Sequence, residues 1–359
     1  ALPISMNNSI DSMMRDYEGN LWFASSRQGV MKIVPNQFTD INTKYSLSDQ
    51  VVNTTCIYDD SLLIGTDTGL VTIGSGKKYY DISVSSIDSS LDIDADSLED
   101  LFEGSRIRSI IKDSKDRLWF STFSDLGLVL YDDGDVKTFT TENGMPSNRI
   151  RAVAENTNGE VMVATSGGLV IIKDEEIADI YDESSGLSNT EVLTVCEGDN
   201  GEILIGTDGN GIYVVNGKKM TNLGVKEGLS SGVVMRIKKD IEHDLYWLVT
   251  SNSISYMKGH EIYTVSNFPY SNNFDIYSDK KENMWILSSN GIYVTPVSEL
   301  LQNEDINPVF YNMDNGMTCV STANSYSDIS EDGDLYMWGA NNYGALGDNE
   351  SDVAYYPQK

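Results

Sequence analysis

Asp113-Ser114-Lys115-Asp116-Arg117-Leu118-Trp119-Phe120, followed by Gly127-Leu128-Val129-Leu130-Tyr131, is the stretch on which the fold turns. It reads as an acidic turn, a short apolar strand, a small-residue turn and another apolar strand. The phrase recurs. Residues 10–33 carry it as Asp16-Tyr17-Glu18-Gly19-Asn20-Leu21-Trp22-Phe23, and residues 59–73 as Leu62-Leu63-Ile64-Gly65-Thr66 with Thr68-Gly69-Leu70. Gly159-Glu160-Val161-Met162-Val163-Ala164-Thr165 with Gly167-Gly168-Leu169 repeats it, as does Gly201-Glu202-Ile203-Leu204-Ile205-Gly206-Thr207 with Gly211-Ile212-Tyr213. Weaker copies centre on Trp247, on Trp285 with Gly291-Ile292-Tyr293, and on Tyr336-Met337-Trp338.

The spacing of about 40 to 45 residues is that of one four-stranded propeller blade. Gly and Asn in the acidic turn supply the positive φ of a hairpin between first and second strands. Ile107, Ser109 and Ile111 alternate with Arg106, Arg108 and Ile110, the period of a half-buried strand. The Trp, Phe or Ile after each turn is expected to fill the space between neighbouring blades. One blade cannot bury both its faces alone, so the copies must stack. The expected fold is all-β: a single β-propeller over residues 1–359 with seven four-stranded blades, or eight. Residues 322–359 either close it or begin a following segment.

Composition narrows the function. The 359 residues include 25 Lys and Arg against 55 Asp and Glu, a net charge of −30. Such a field repels phosphate backbones and anionic lipid, which argues against nucleic-acid partners and membrane-surface roles. Cys56, Cys196 and Cys319 are few, odd in number and far apart, so they read as buried apolar residues rather than a disulfide or zinc framework. No run approaches the ~18 apolar residues of a membrane span. The opening Ala1-Leu2-Pro3-Ile4-Ser5 lacks the basic start and apolar stretch of a signal peptide. The chain reads as a soluble piece whose export signal or anchor lies outside it.

A second phrase joins the copies: Asn143-Gly144-Met145-Pro146-Ser147-Asn148-Arg149-Ile150, then Ser185-Gly186-Leu187-Ser188-Asn189-Thr190-Glu191-Val192, then Glu227-Gly228-Leu229-Ser230-Ser231. Together the two phrases resemble the regulator-propeller repeats of the two-component sensor family, over most of residues 6–340. The resemblance implies a periplasmic or extracellular input region of a bacterial histidine kinase, hybrid regulator or diguanylate cyclase, anchored to a membrane through segments outside this chain. Family members often carry two successive seven-bladed rings. Gly333 to Asp348 departs from this pattern and is similar to a repeat of the chromosome-condensation-regulator family, another propeller, whose chromatin partners the acidic balance opposes.

Enzyme constellations are thin. His243 and His260 are the only histidines and lack partners at a recognisable spacing; no phosphate loop, nucleophile elbow or His-Glu-x-x-His is present. The expectation is a non-enzymatic fragment without a resident cofactor. Asp92, Asp94, Asp96, Asp100 and Glu103 copy the oxygen spacing of a calcium loop, although Ser97 stands where that loop needs glycine. The plainer reading of that stretch is an acidic surface insertion with a helical turn at residues 98–102.

Propeller geometry brings the connections between blades, and those between second and third strands, to one face. Loops on a rigid scaffold are where function concentrates. That face is expected to hold Arg27, Gln28, Arg106, Phe123, Asn148, Arg149, Ser166, Asn189, Asp208, Asn210, Asn252, Asn272, Asn273, Asn290, Asn324 and Tyr326. Amides, hydroxyls, arginines and aromatics suit a small polar ligand such as an oligosaccharide. Each asparagine taken singly reads as a turn residue. The leading expectation is a ligand-sensing input domain, acting as a homodimer; the alternatives are a propeller lyase or glycosidase and a protein-interaction scaffold.

Overall fold

The computed structural model describes residues 11–15, 21–25, 29–33, 38, 41–45, 47, 50–59, 61–74, 81–269, 272–312, 317, 321, 328–329 and 335–336. They fall in two compact units: residues 1–49, 311–320 and 341–359, and residues 50–310 with 321–340. The first holds the copy at residues 10–33 as an antiparallel three-stranded sheet, Ser12–Arg15, Leu21–Ser25 and Gly29–Ile33, with Met14 opposite Trp22. It also holds the short helix Ile41–Tyr45 and an edge-on contact of the Phe38 and Tyr311 rings.

The second unit carries six successive sheets, numbered here as blades 1 to 6. Blade 1 has three strands among the described residues, Val52–Tyr58, Ser61–Thr66 and Leu70–Ile73. Blade 2 is built on Ile107–Lys112, Leu118–Thr122, Leu128–Asp132 and Asp135–Phe139. Blades 3, 4 and 5 begin at Ile150–Glu155, Val192–Glu197 and Val234–Asp240, each a four-stranded meander in sequence order. Blade 6 comprises Asn273–Ser278, Asn283–Ser288, Gly291–Pro296 and Val309–Tyr311. The first strand of each blade lies beside the first strand of the next, so the sheets radiate from a common line. The two-stranded sheet of Asp328–Ile329 and Leu335–Tyr336 brings the end of the series beside its start, against Val52–Tyr58.

The core is divided the same way. Each of five apolar clusters takes its side chains from two consecutive blades. Trp119 of blade 2 packs with Ile150, Val153 and Val163 of blade 3, and Trp247 of blade 5 with Ile276 and Ile286 of blade 6. These two tryptophans thus fill inter-blade space, and blades 2 to 5 each bury both faces against their two neighbours. With five such seams at the expected period, the fold is an all-β propeller.

Two expectations are corrected. Regular alternation in the first strand fails because every blade of the unit has a β-bulge at its second residue: Asn53, Arg108, Arg151, Leu193, Met235 and Phe274. Ile107 and Ile110, three apart, are therefore both buried, as are Ile150 and Val153, Val192 and Val195, and Val234 and Ile237. Nor is the acidic stretch a surface insertion. Ser86–Asp88 adds a fifth strand to blade 2, parallel to Asp135–Phe139. The helix Leu98–Leu101, capped by Ser97 Oγ accepting the Asp100 N–H, buries Leu98, Leu101 and Phe102 in the seam between blades 1 and 2.

Candidate functional site

Three devices, each repeated in all six blades, build the loop face. The last residue of the second strand closes the turn to the third with its hydroxyl: Thr66 donates to the Gly69 carbonyl, Thr122 to Gly127, Thr165 to Gly168, Thr207 to Gly211, Thr250 to Ser253 and Ser288 to Gly291, at 2.7–3.1 Å. The next residue then ties that turn to the loop entering the blade. Its backbone N–H donates to a carbonyl: Asp67 to Val51, Phe123 to Arg106, Ser166 to Arg149, Asp208 to Glu191, Ser251 to Val233 and Ser289 to Asn272, at 2.9–3.3 Å. One residue past each tied loop the first strand begins, and its bulge redirects a side chain at the inner rim, a common use of bulges beside sites.

Six of the expected residues, Arg106, Phe123, Arg149, Ser166, Asp208 and Asn272, occupy these tie positions. Most of the asparagines act locally. Asn148 accepts the Thr141 N–H at 2.7 Å; Asn189 donates to the Asp208 carbonyl at 2.6 Å and accepts the Glu191 N–H. Asn210 donates to Ser188 Oγ at 3.0 Å, Asn252 accepts from Ser230, and Asn290 accepts from Ser288 Oγ at 2.8 Å. Asn273 stands where the other first strands have Val52, Ile107, Ile150, Val192 or Val234; it is fully buried, with no hydrogen-bond partner for its amide. Arg27, Gln28, Asn324 and Tyr326 lie outside the described residues.

Between blades 2 and 3 the rim concentrates cations. The Arg108 and Arg151 guanidinia each lie 4.8 Å from the centre of the Phe123 ring, and that of Arg149 lies 6.0 Å away. Between blades 1 and 2, Arg106 grips Asp67 through two nitrogens at 2.9 and 3.0 Å, and Asn53 donates to the same carboxylate at 2.9 Å. Arg151 pairs with Glu191, which also accepts from Ser166 Oγ at 2.9 Å. Between blades 5 and 6, fully buried Asp275 lies 2.8 Å from Lys238 Nζ and 3.8 Å from Arg236 Nε. Arg108, Arg151, Asp67, Glu191 and Asp275 were not anticipated. The apolar residues three apart were the available signal, since a period-two strand cannot bury both without a bulge.

The opposite end of each blade is structural. Asp113 accepts the Trp119 indole N–H at 2.9 Å and binds Arg117 through two nitrogens at 2.8 Å. Asp240 accepts from Trp247 and lies 3.0 Å from His243 Nδ1; Asp279 accepts from Trp285. Burial works against ionisation of all three, but the indole and backbone donors, with Arg117 beside Asp113, His243 beside Asp240 and the Asn283 amide beside Asp279, outweigh it and hold them below the usual carboxylate range. His243 sits in a first-to-second-strand turn and His260, 3.0 Å from Glu202, in a third-to-fourth-strand turn. Antiparallel pairing puts both turns at the end away from the tied loops. Burial raises the Cys196 thiol to about 11, which disfavours the thiolate.

Beside the loop face, a cleft of about 300 Å³ is lined by Gln50, Thr66, Thr68, Gly69, Leu70, Val71, Glu99, Asp100 and Glu103. Burial raises the Glu99 pKa, although its carboxylate accepts from Thr72 Oγ1 and the Ile82 N–H. The five residues expected as calcium ligands do not form a loop around a common point. Residues 92–96 precede the helix without regular secondary structure, Asp100 lies within it, and Glu103 follows it. Among the described residues, no group of three His, Cys, Asp or Glu is placed to hold a metal.

Comparison with known proteins agrees with the fold. Residues 5–27 and 101–124 match the two component regulator propeller family, and residues 332–359 match the regulator of chromosome condensation repeat. The extracellular domain of a protein described as a hybrid two component system of B. thetaiotaomicron superposes with a TM-score of 0.71 at 21% identity, over 93% of this chain and 44% of that one. A second such domain from B. thetaiotaomicron gives 0.63 at 18% identity, over 93% and 46%. A catalytically inactive virginiamycin B lyase from Staphylococcus aureus, with quinupristin, gives 0.59 at 15% identity, over 81% and 92%. The chain spans less than half the length of the two extracellular domains. No curated protein matches it in sequence. Among the described residues, no helix is long and apolar enough to cross a membrane. Repeat sequence, blade geometry and superposition agree: this chain is a β-propeller, and two of its segments, residues 5–27 and 101–124, match the two component regulator propeller family.

Proposed function

We propose that the chain is part of the extracytoplasmic input region of a membrane-anchored bacterial signalling protein, and that its loop face binds a polar ligand such as an oligosaccharide. The observation that carries this reading is the six-fold backbone tie. It fixes two sets of loops from six blades into one rim, so a ligand meets a preorganised surface and little ordering cost. Polar side chains dominate that rim, while the opposite end is occupied by hairpin clamps. Signalling further requires that the ligand favour one of two arrangements, which a homodimer of the full protein can supply.

A lyase reading draws on the fold shared with virginiamycin B lyase. It is the weaker one, because neither histidine is on the loop face and two of the rim carboxylates, Asp67 and Glu191, are engaged by Arg106 and Arg151. Thermal-shift screening against oligosaccharides tests the binding reading: a ligand at about 100 times its Kd adds about 2.7 kcal/mol, or roughly 5–10 °C for a unit this size. A ligand whose shift survives Asn210→Ala and Arg149→Gln unchanged binds elsewhere and defeats the proposal, and turnover of the ligand would favour the lyase.

A further inference from the structure

We infer that the seam between blades 5 and 6 binds a buried water at its loop-face end, held by the Asn273 carboxamide and the Ser288 hydroxyl. The site does not depend on the ligand proposed above. In the other five blades the first strand opens with Val52, Ile107, Ile150, Val192 or Val234, all buried. Each stands directly opposite a threonine: Thr66, Thr122, Thr165, Thr207 or Thr250. Blade 6 sets Asn273 opposite Ser288 instead. A branched aliphatic has become a carboxamide, and the threonine methyl across from it is gone.

Asn273 is 1% exposed and Ser288 wholly buried, while Asn272, one residue earlier, is exposed on the rim. The position is a seam position. Between blades 1 and 2, Gly65 lies against Thr54 and Ile107, and between blades 4 and 5, Gly206 lies against Thr194 and Val234. The corresponding trio between blades 5 and 6 is Val249, Arg236 and Asn273. Both ends of the Asn273 carboxamide lack a hydrogen-bond partner among the described residues. A carboxamide carries two donors and an acceptor oxygen, and protein interiors leave such groups to ordered water where protein atoms do not reach them. Ser288 supplies a second contact. Its hydroxyl is directed at the Gly291 carbonyl and Asn290 Oδ1, at 2.9 and 2.8 Å, which leaves its oxygen free to accept. Directly opposite residues on antiparallel strands have Cβ atoms about 4.5–5.5 Å apart, a gap that one water spans. That water accepts the Asn273 Nδ2–H and donates to Ser288 Oγ.

The test is a thermal-melting cycle on the chain, with a high-resolution crystal structure beside it. Asn273→Val installs the side chain of the other blades and should leave the midpoint unchanged or raise it by about 2–4 °C. Ser288→Thr returns the methyl, displaces the water and leaves the carboxamide without it, so the midpoint should fall by about 2–4 °C. In the Asn273→Val background the same Ser288→Thr change should cost nothing, because no amide there needs the water. Crystals of the parent chain should show a water within about 2.7–3.2 Å of Asn273 Nδ2 and Ser288 Oγ, absent from Asn273→Val. Equal losses from Ser288→Thr in both backgrounds would overturn the inference. So would a carboxamide bonded directly to protein groups, Arg236 included, with no water beside it.

Discussion

At the scale of single residues, the Asp–Trp clamp explains why the acidic turn recurs. Asp113 Oδ1 accepts the backbone N–H groups of Lys115 and Arg117, closing the turn, while Oδ2 takes the Trp119 indole. Asn156 and Asp279 close their turns in the same way. Asp113→Ala leaves Arg117 nearly buried with Glu175 alone, 2.9 Å away, and should cost about 2–4 kcal/mol in urea unfolding. The clamps also set an acid limit. Folded pKa values of Asp113, Asp240 and Asp279 lie below the unfolded value of about 3.9. Their contribution is therefore complete above that pH and is lost as pH falls through the folded values. Asp240→Asn should lower the urea midpoint at about pH 7 and flatten its decline near about pH 3, relative to the parent chain. The turns were legible in the sequence; which oxygen each indole would take was not, because that depends on the register of the facing strand.

Among the elements, the bulged first strand decides where function can sit. Its third residue faces the second strand directly, and sizes are matched: Thr54 with Gly65, Ser109 with Ser121, Ala152 with Ala164, Thr194 with Gly206. A Cβ on Gly206 would come within 2.5 Å of Thr194 Cγ2, which is why Gly-Thr recurs in the repeat. Deleting the bulged Leu193 leaves Val192 and Val195 two apart, the period of a regular strand. That deletion should cost about 1–3 kcal/mol, whereas inserting Ala after Val195 reverses the faces of Cys196 and Glu197 and should cost more. Equal losses in urea midpoint would show that the bulge does not set the register. Strand alternation, read literally, hid this feature and with it Arg108 and Arg151. At residues 92–103 the helical turn was legible but its burial was not: the many carboxylates suggested a surface segment, whereas Leu98, Leu101 and Phe102 are spaced for one buried helical face.

For the whole molecule, the repeat gave fold class and period because each copy carries its own turn chemistry and seam residue. Six of the twelve residues that tie the loop face fell among those named from sequence, because the repeat fixes where each turn sits. The charged contacts were not legible, since they join residues about 40 apart through the stacking of neighbouring blades. Net charge adds an expectation at this scale. Self-repulsion of −30 charges is screened by salt, so the thermal midpoint should rise by several degrees between about 10 mM and about 300 mM NaCl. A falling midpoint would mean that attractive pairs dominate instead.

The parallel strand Ser86–Asp88 has one more consequence. A meander blade ends in an open row of backbone donors and acceptors, the edge on which foreign chains add and fibrils start. In blade 2 that row is already occupied by the chain's own earlier segment, with Ser86 Oγ fastened to Asp135 at 2.6 Å. The blade that carries Phe123 thus offers only the three-residue Ser86–Asp88 as its outer edge, and a short edge strand is a poor template for a protein partner that would extend the sheet.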